Sequence, residues 1–181
     1  MKRRILCLVA VIIGLAACGC AAAANGKTKQ QQITAHFYND RYGYAFNYAQ
    51  GWTKTSESGV LVLTSPDKKA CIRVSASSQD PEYTQETMKL TDALAHVEEE
   101  TLNMQDVSCN TGMIVGNLPA TDVVYTADKV LSENDTFERK GRQVLVYGKE
   151  LVYDLDLIAR VQAFDTANAD FNVILGSFEA K

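Results

Sequence analysis

Histidine is scarce in this chain, and so is the chemistry that histidine supports. The 181 residues contain two, His36 and His96. Neither stands in the His-Glu-x-x-His spacing of a zinc hydrolase. No Gly-x-Ser-x-Gly elbow, phosphate-binding glycine loop or dinucleotide glycine motif is present. The five cysteines, Cys7, Cys18, Cys20, Cys71 and Cys109, match no metal or redox spacing. Cys71 and Cys109 have no evident histidine partner, so they read as small buried hydrophobes rather than nucleophiles. They sit on separate strands and are expected to be unbridged. No internal repeat is visible. Basic residues are also in short supply, with a formal charge of −4. An acidic domain is repelled by nucleic acid and by anionic headgroups, so neither is an expected direct partner of its surface.

A membrane-spanning run is missing as well. The apolar stretch Ile5–Ala17 falls short of the ~20 residues that cross a bilayer. Lys2, Arg3 and Arg4 precede it and Cys18 follows it. That is the layout of a secretory signal. Its end, Leu15-Ala16-Ala17-Cys18, resembles the lipobox of bacterial lipoproteins, in which small residues precede the cut and the cysteine thiol accepts diacylglycerol. The resemblance implies a signal peptide over residues 1–17 and lipidation at Cys18, with Cys20 a poorer rival acceptor. The expected address is the extracytoplasmic face of a cell membrane. Two or three acyl chains hold far more firmly than the marginal grip of one. Removing residues 1–17 leaves 15 basic against 22 acidic residues, a charge of −7. The lipid, not the protein surface, would therefore make the membrane contact. Residues 18–34 read as the lipidated cysteine and a polar tether. About fourteen flexible residues reach roughly 20 Å.

Residues 35–181 read as one domain. His36-Phe37-Tyr38 is short and extended, and Tyr44, Phe46 and Tyr48 alternate with Ala45, Asn47 and Ala49 at strand period. Trp52 opens a further extended piece. Val60–Leu63 and Cys71–Ala76 read as strands joined through a Pro66-Asp67-Lys68-Lys69 turn, a meander. The period then changes. Leu90, Leu94, Val97, Thr101 and Met104 fall at helical spacing, which predicts an amphipathic helix over Leu90–Met104. Strands return at Val107–Val115, Ala120–Thr126, Gln143–Tyr147 and Glu150–Ala159, the last two joined by a hairpin at Gly148-Lys149. Phe164, Ala167, Phe171, Ile174 and Phe178 form a second helical stripe, with Gly176 near its expected end. Strand runs with few helices predict an antiparallel sheet in an α+β domain, helices packed near both faces.

Several local motifs carry a family resemblance. Tyr42-Gly43-Tyr44-Ala45-Phe46 leading to Gly51-Trp52 resembles the opening hairpin of PsbP-like proteins, although Ala49 stands where the family usually has proline. Gly116-Asn117-Leu118-Pro119-Ala120 resembles the family's turn before a strand. Val152-Tyr153-Asp154-Leu155, with Phe171 to Ser177-Phe178, resembles its closing strand and helix. The resemblance covers about Phe37 to Phe178. It implies an α/β/α sandwich with a central antiparallel sheet flanked by helices. It also implies a binding or assembly module rather than a catalyst. The family spans photosystem II subunits and assembly factors, a yeast Ran-binding import factor and many bacterial lipoproteins.

Three constellations remain as candidate sites. Asp92, His96 and Glu100 stand four apart on one helix face and together could reach one ion, although the same spacing is ordinary for a solvated face. Asp154 and Asp156 share a strand face, where paired carboxylates bind Ca²⁺ or act as acid and base. Trp52 with Tyr38, Tyr42, Tyr44 and Tyr48 makes either a binding face or core, and Trp52 is expected to be structural. The resulting expectation is a lipid-anchored, non-enzymatic module with a protein partner at the membrane surface, no nucleic acid, and no cofactor or metal. The alternative is a small extracytoplasmic hydrolase or metal-dependent enzyme using the Asp154/Asp156 face.

Overall fold

Strand-period alternation sorts the described residues into two sheets. The computed structural model describes residues 34–78, 102–132 and 135–180. β1 (Thr34–Asn39) and β2 (Tyr44–Ala49) form a hairpin, and the two-residue β10 (Glu179–Ala180) pairs with the other side of β2. The hairpin turn needs Gly43 at φ +62, and its N–H donates to the Asn39 carbonyl at 2.9 Å. The larger sheet contains β3 (Thr53–Glu57), β4 (Val60–Thr64), β5 (Ala70–Ser78), β6 (Leu102–Val115), β7 (Leu118–Ser132), β8 (Asp135–Tyr147) and β9 (Leu151–Arg160). Its seven strands run β3-β4-β5-β9-β8-β7-β6, every pair antiparallel. One helix, α1 (Val161–Ser177), follows β9 among the described residues.

Register places the core. Leu61, Val74, Leu155 and Val144 lie side by side across four strands, and Leu63, Ile72 and Leu157 form the next row. All seven are buried, and α1 covers this face with Phe164, Phe171 and Ile174. Burying each such side chain contributes about 1.5–3 kcal/mol. The opposite face carries a smaller buried cluster that includes Val123, Tyr125, Leu145 and Tyr147.

The expectations need four corrections. A single central sheet was expected, and two are found, because β2 pairs with β1 and β10 rather than joining the meander. Helices flanking both faces overstate the architecture, since the described residues contain one helix, on one face. The expected helix over Leu90–Met104 lies outside the described residues up to Thr101. Its last three positions, Leu102–Met104, start β6, where Leu102 pairs with Asp128. Gly176 does not stop α1. It lies inside the helix, which ends at Ser177, and Phe178 turns extended at φ −67, ψ 130 to enter β10.

Candidate functional site

A groove of about 560 Å³ runs beside the first half of α1. The helix supplies one wall. Gln162, Thr166 and Asp170 recur every four residues and so form one ridge along it. Beside them, Ala163 and Ala167 are small enough to leave the floor low. The opposing wall is the β4–β5 turn, Ser65 to Lys69. The Ser65 hydroxyl accepts the Ala70 N–H at 2.9 Å and the Lys69 N–H at 3.1 Å, and it donates to Asp67 at 2.8 Å. The same Ser65 contact, with the Lys69 N–H, holds the Asp67 carboxyl below its ordinary range. Trp52 closes the far end. It is 7% exposed, and its indole N–H donates to Asp170 Oδ2 at 2.8 Å.

Charge is unevenly spread along the groove. Arg160 precedes the helix, and its backbone N–H donates to the Lys69 carbonyl at 3.0 Å, while the Lys69 ammonium pairs with Asp67 at 3.7 Å on the same wall. Arg139 stands opposite Arg160 on β8. Like charges placed directly opposite are normally unfavourable. Asp170 stands at the other end. No side chain caps the helix start, and its first turn holds no acid.

Deeper on the same face, Arg142 pins α1 to the sheet. Its Nε and Nη2 donate to Asp122 at 2.9 and 2.8 Å, and its Nη1 donates to Asn168 at 2.8 Å and Asn172 at 2.7 Å. Each partner is met geometrically, as a nearly buried guanidinium requires. This is scaffold rather than site. No sequence motif announced it.

The residues singled out from sequence do not come together. Cys18, Asp92, His96 and Glu100 lie outside the described residues. His36 is exposed on β1 and bonds Asn47 through Nδ1 at 3.0 Å. Asp154 and Asp156 do share a face of β9, the one turned away from α1. Asp154 accepts the Gln143 amide on both oxygens at 3.1 Å, while Asp156 lies between Arg73 and Gln143 in register. No group of three metal-ligating side chains exists among the described residues. Trp52 belongs to the core cluster, as expected of a structural residue. Cys71 and Cys109 form no disulfide, standing on strands four steps apart in the sheet, about 19 Å, far beyond disulfide reach. They are not the buried hydrophobes expected, because Cys71 is half-buried and Cys109 exposed. Desolvation and then Asp122 push the Cys109 thiol up, away from the reactive thiolate. The ridge Gln162–Thr166–Asp170 was missed. Its four-residue spacing was visible, but polar spacing of that kind usually marks a solvated helix face.

The fold and the groove can be set beside known proteins. The profile of the PsbP-like protein family matches residues 4–180. The chain belongs to the PsbP-like family. Its fold is similar to cyanobacterial PsbP (CyanoP) from Synechocystis sp. PCC 6803, with a TM-score of 0.57 and 17% identity over 87% of this chain and 99% of that one. It is also similar to LpqN of Mycobacterium tuberculosis, which is described as involved in cell envelope biogenesis. There the TM-score is 0.56 and the identity 15%, over 82% of this chain and 91% of that one. No curated protein sequence matches the chain. Likeness at these identities is likeness of PsbP-like fold, and function has to come from the site.

Proposed function

We propose that this PsbP-like chain is a lipoprotein, anchored through acylated Cys18 at the extracytoplasmic face of a membrane, where it acts as a non-enzymatic binding or assembly module. On this reading residues 1–17 are the signal peptide, 18–34 the lipidated tether and 35–181 the module. The observation that carries the binding reading is the groove. Its strongest groups are paired with each other, Trp52 with Asp170 and Ser65 with Asp67. What its rim offers a newcomer is an amide and a hydroxyl, Gln162 and Thr166, groups that recognise rather than react. The hydrolase alternative is weaker, because the Gln143 amide already donates to both oxygens of Asp154.

Metabolic labelling with an alkyne fatty acid tests the anchor. The wild type should take up label and migrate as a shorter mature form, and Cys18→Ala should do neither. Equal labelling of both moves the anchor to Cys20. Complementation of a strain lacking the gene tests the module. Cys18→Ala should fail to complement, and the double variant Asp154→Asn/Asp156→Asn should succeed. Failure of a folded double variant would replace the binding reading with an enzymatic one.

A further inference from the structure

We infer that the outer edge of β6 is a self-pairing interface, where a second copy of this chain adds its own β6, antiparallel, across a two-fold axis at Cys109.

The edge is long and open. β6 ends the seven-stranded sheet among the described residues. It runs fourteen residues, against five for β3 at the other edge. A very short edge strand is blunted by its length alone, whereas a long one offers a row of N–H and C=O groups to a further strand. Gln105 to Gly112 are all exposed. On the same strand Val107 is 41% exposed and Ile114 64%.

Shape selects the occupant. Relative to β7, β6 carries one extra residue between Gln105 and Ser108 and another between Asn110 and Met113. Each such bulge bends the strand and raises its twist. The two lie at equal distances on either side of Cys109, with the regular stretch Ser108–Asn110 between them. Both are fastened. The Thr126 hydroxyl donates to the Gln105 carbonyl at 3.1 Å, and the Gly112 N–H donates to Asn110 Oδ1 at 3.0 Å. A straight foreign strand does not follow this outline. A second β6, reversed about Cys109, meets it bulge to bulge, as an isologous contact requires.

Side chains agree with that register. Across the axis Cys109 faces Cys109, Ser108 faces Asn110, Val107 faces Thr111 and Ile114 faces Met104. β6 holds one ionised residue, Asp106, and it falls opposite Gly112. No like charges stand directly opposite each other, on a domain whose mature charge of −7 makes most other self-contacts repulsive. On the lipoprotein reading, anchoring both copies to one membrane raises their effective concentration.

Residues directly opposite in an antiparallel pair stand about 4.5–5.5 Å apart, inside the ~4.4–6.8 Å that a disulfide spans. Cys109 is therefore a probe of the register. The full chain carrying Cys7→Ser/Cys20→Ser/Cys71→Ser is treated with diamide. The N=N bond of diamide takes up two electrons and two protons from the thiols as the S–S bond forms. The chain should then migrate as a dimer without reductant. Moving the thiol two places, by Cys109→Ser/Thr111→Cys, sets the pair about 13 Å apart and should abolish the dimer band. Sedimentation of the wild-type chain in mild detergent with reductant should show its mass rising toward two copies with concentration. Cys109→Lys sets two ammonium groups opposite each other. It should hold the mass at one copy, with the melting temperature unchanged because the site is exposed. Equal cross-linking from positions 109 and 111 would mean random collision and overturns the proposal. A wild-type mass fixed at one copy overturns it, and so does a dimer that survives Cys109→Lys. Cross-linking in membranes to a different polypeptide, with none to a second copy, replaces it with a foreign strand. Complementation by Asp154→Asn/Asp156→Asn reports on the module reading and not on this edge.

Discussion

The two ends of α1 are built in opposite ways. At its last turn everything is closed. Ser177 Oγ accepts the Asn47 N–H at 2.8 Å and donates to the Val173 carbonyl at 2.7 Å, tying the helix to β2. Phe178 then stacks on Tyr44, centroids 6.0 Å apart, and meets the Tyr153 ring edge-on at 5.4 Å. Gly116, at φ +55, is required there, since a Cβ would strike the Phe178 carbonyl. At the first turn no side chain caps the helix, and polar side chains line an open groove. One helix thus serves two tasks. Its C-terminal half holds the two sheets together, and its N-terminal half presents a surface. The difference lies in which side chains each half carries, since the backbone is helical throughout.

The sharpest way to break this comparison is at the closed end. Phe178→Ala removes a ring that is 2% exposed and packed on two others. It should cost about 3–5 kcal/mol in urea unfolding. A cost near zero would mean that the closed end is not what holds the helix. Arg142 lies at the boundary between the halves. Arg142→Ala strands Asp122, whose side chain is 15% exposed, and frees Asn168 and Asn172. It should cost about 3 kcal/mol, a low value for a broken buried pair because the site retains some water. Loss of stability without loss of complementation would separate scaffold from surface. Loss of both would show that the two halves do not act independently.

Most strands were legible because their burial is one-sided. Tyr44 and Phe46 alternate with half-buried residues on β2, and Ile72 and Val74 do so on β5. The buried stripe Phe164, Ala167, Phe171 and Ile174 made α1 equally legible. Legibility ended where pairing continues beyond the apolar pattern. β8 starts eight residues before the Gln143–Tyr147 segment read from sequence, since Lys140, Arg139 and Glu138 keep their ladder with β7 without an apolar alternation. Phe178 fits a helical stripe by spacing alone. Its extended backbone follows from contacts with Tyr44 and Tyr153, far away in sequence. The groove was illegible for the same reason, as Trp52 and Asp170 are 118 residues apart and neither signals the other.

The smallest expected effects come from pH, and they probe the two ends separately. Burial raises the Tyr44 phenol above its ordinary pKa, with nearby Asn39 working against the shift, and burial raises Tyr153 in the same direction. A folded pKa above the unfolded one means that the contribution is fully present below about pH 10. It is lost as pH rises from there through the raised folded values. Asp67 runs the other way. The Ser65 hydroxyl and the Lys69 N–H lower its pKa, so its contribution is present above about pH 4 and is lost as pH falls through the lowered folded value. The phenols sit inside the aromatic cluster, and the carboxylate sits in solvent on the groove wall. Melting temperature should therefore fall visibly on the alkaline limb, and Tyr44→Phe should flatten that fall. Asp67→Asn should leave the acid limb almost unchanged, because water already screens an exposed carboxylate. An alkaline limb indifferent to Tyr44→Phe, or an acid limb governed by Asp67, would reverse the assignment of which end of α1 is closed.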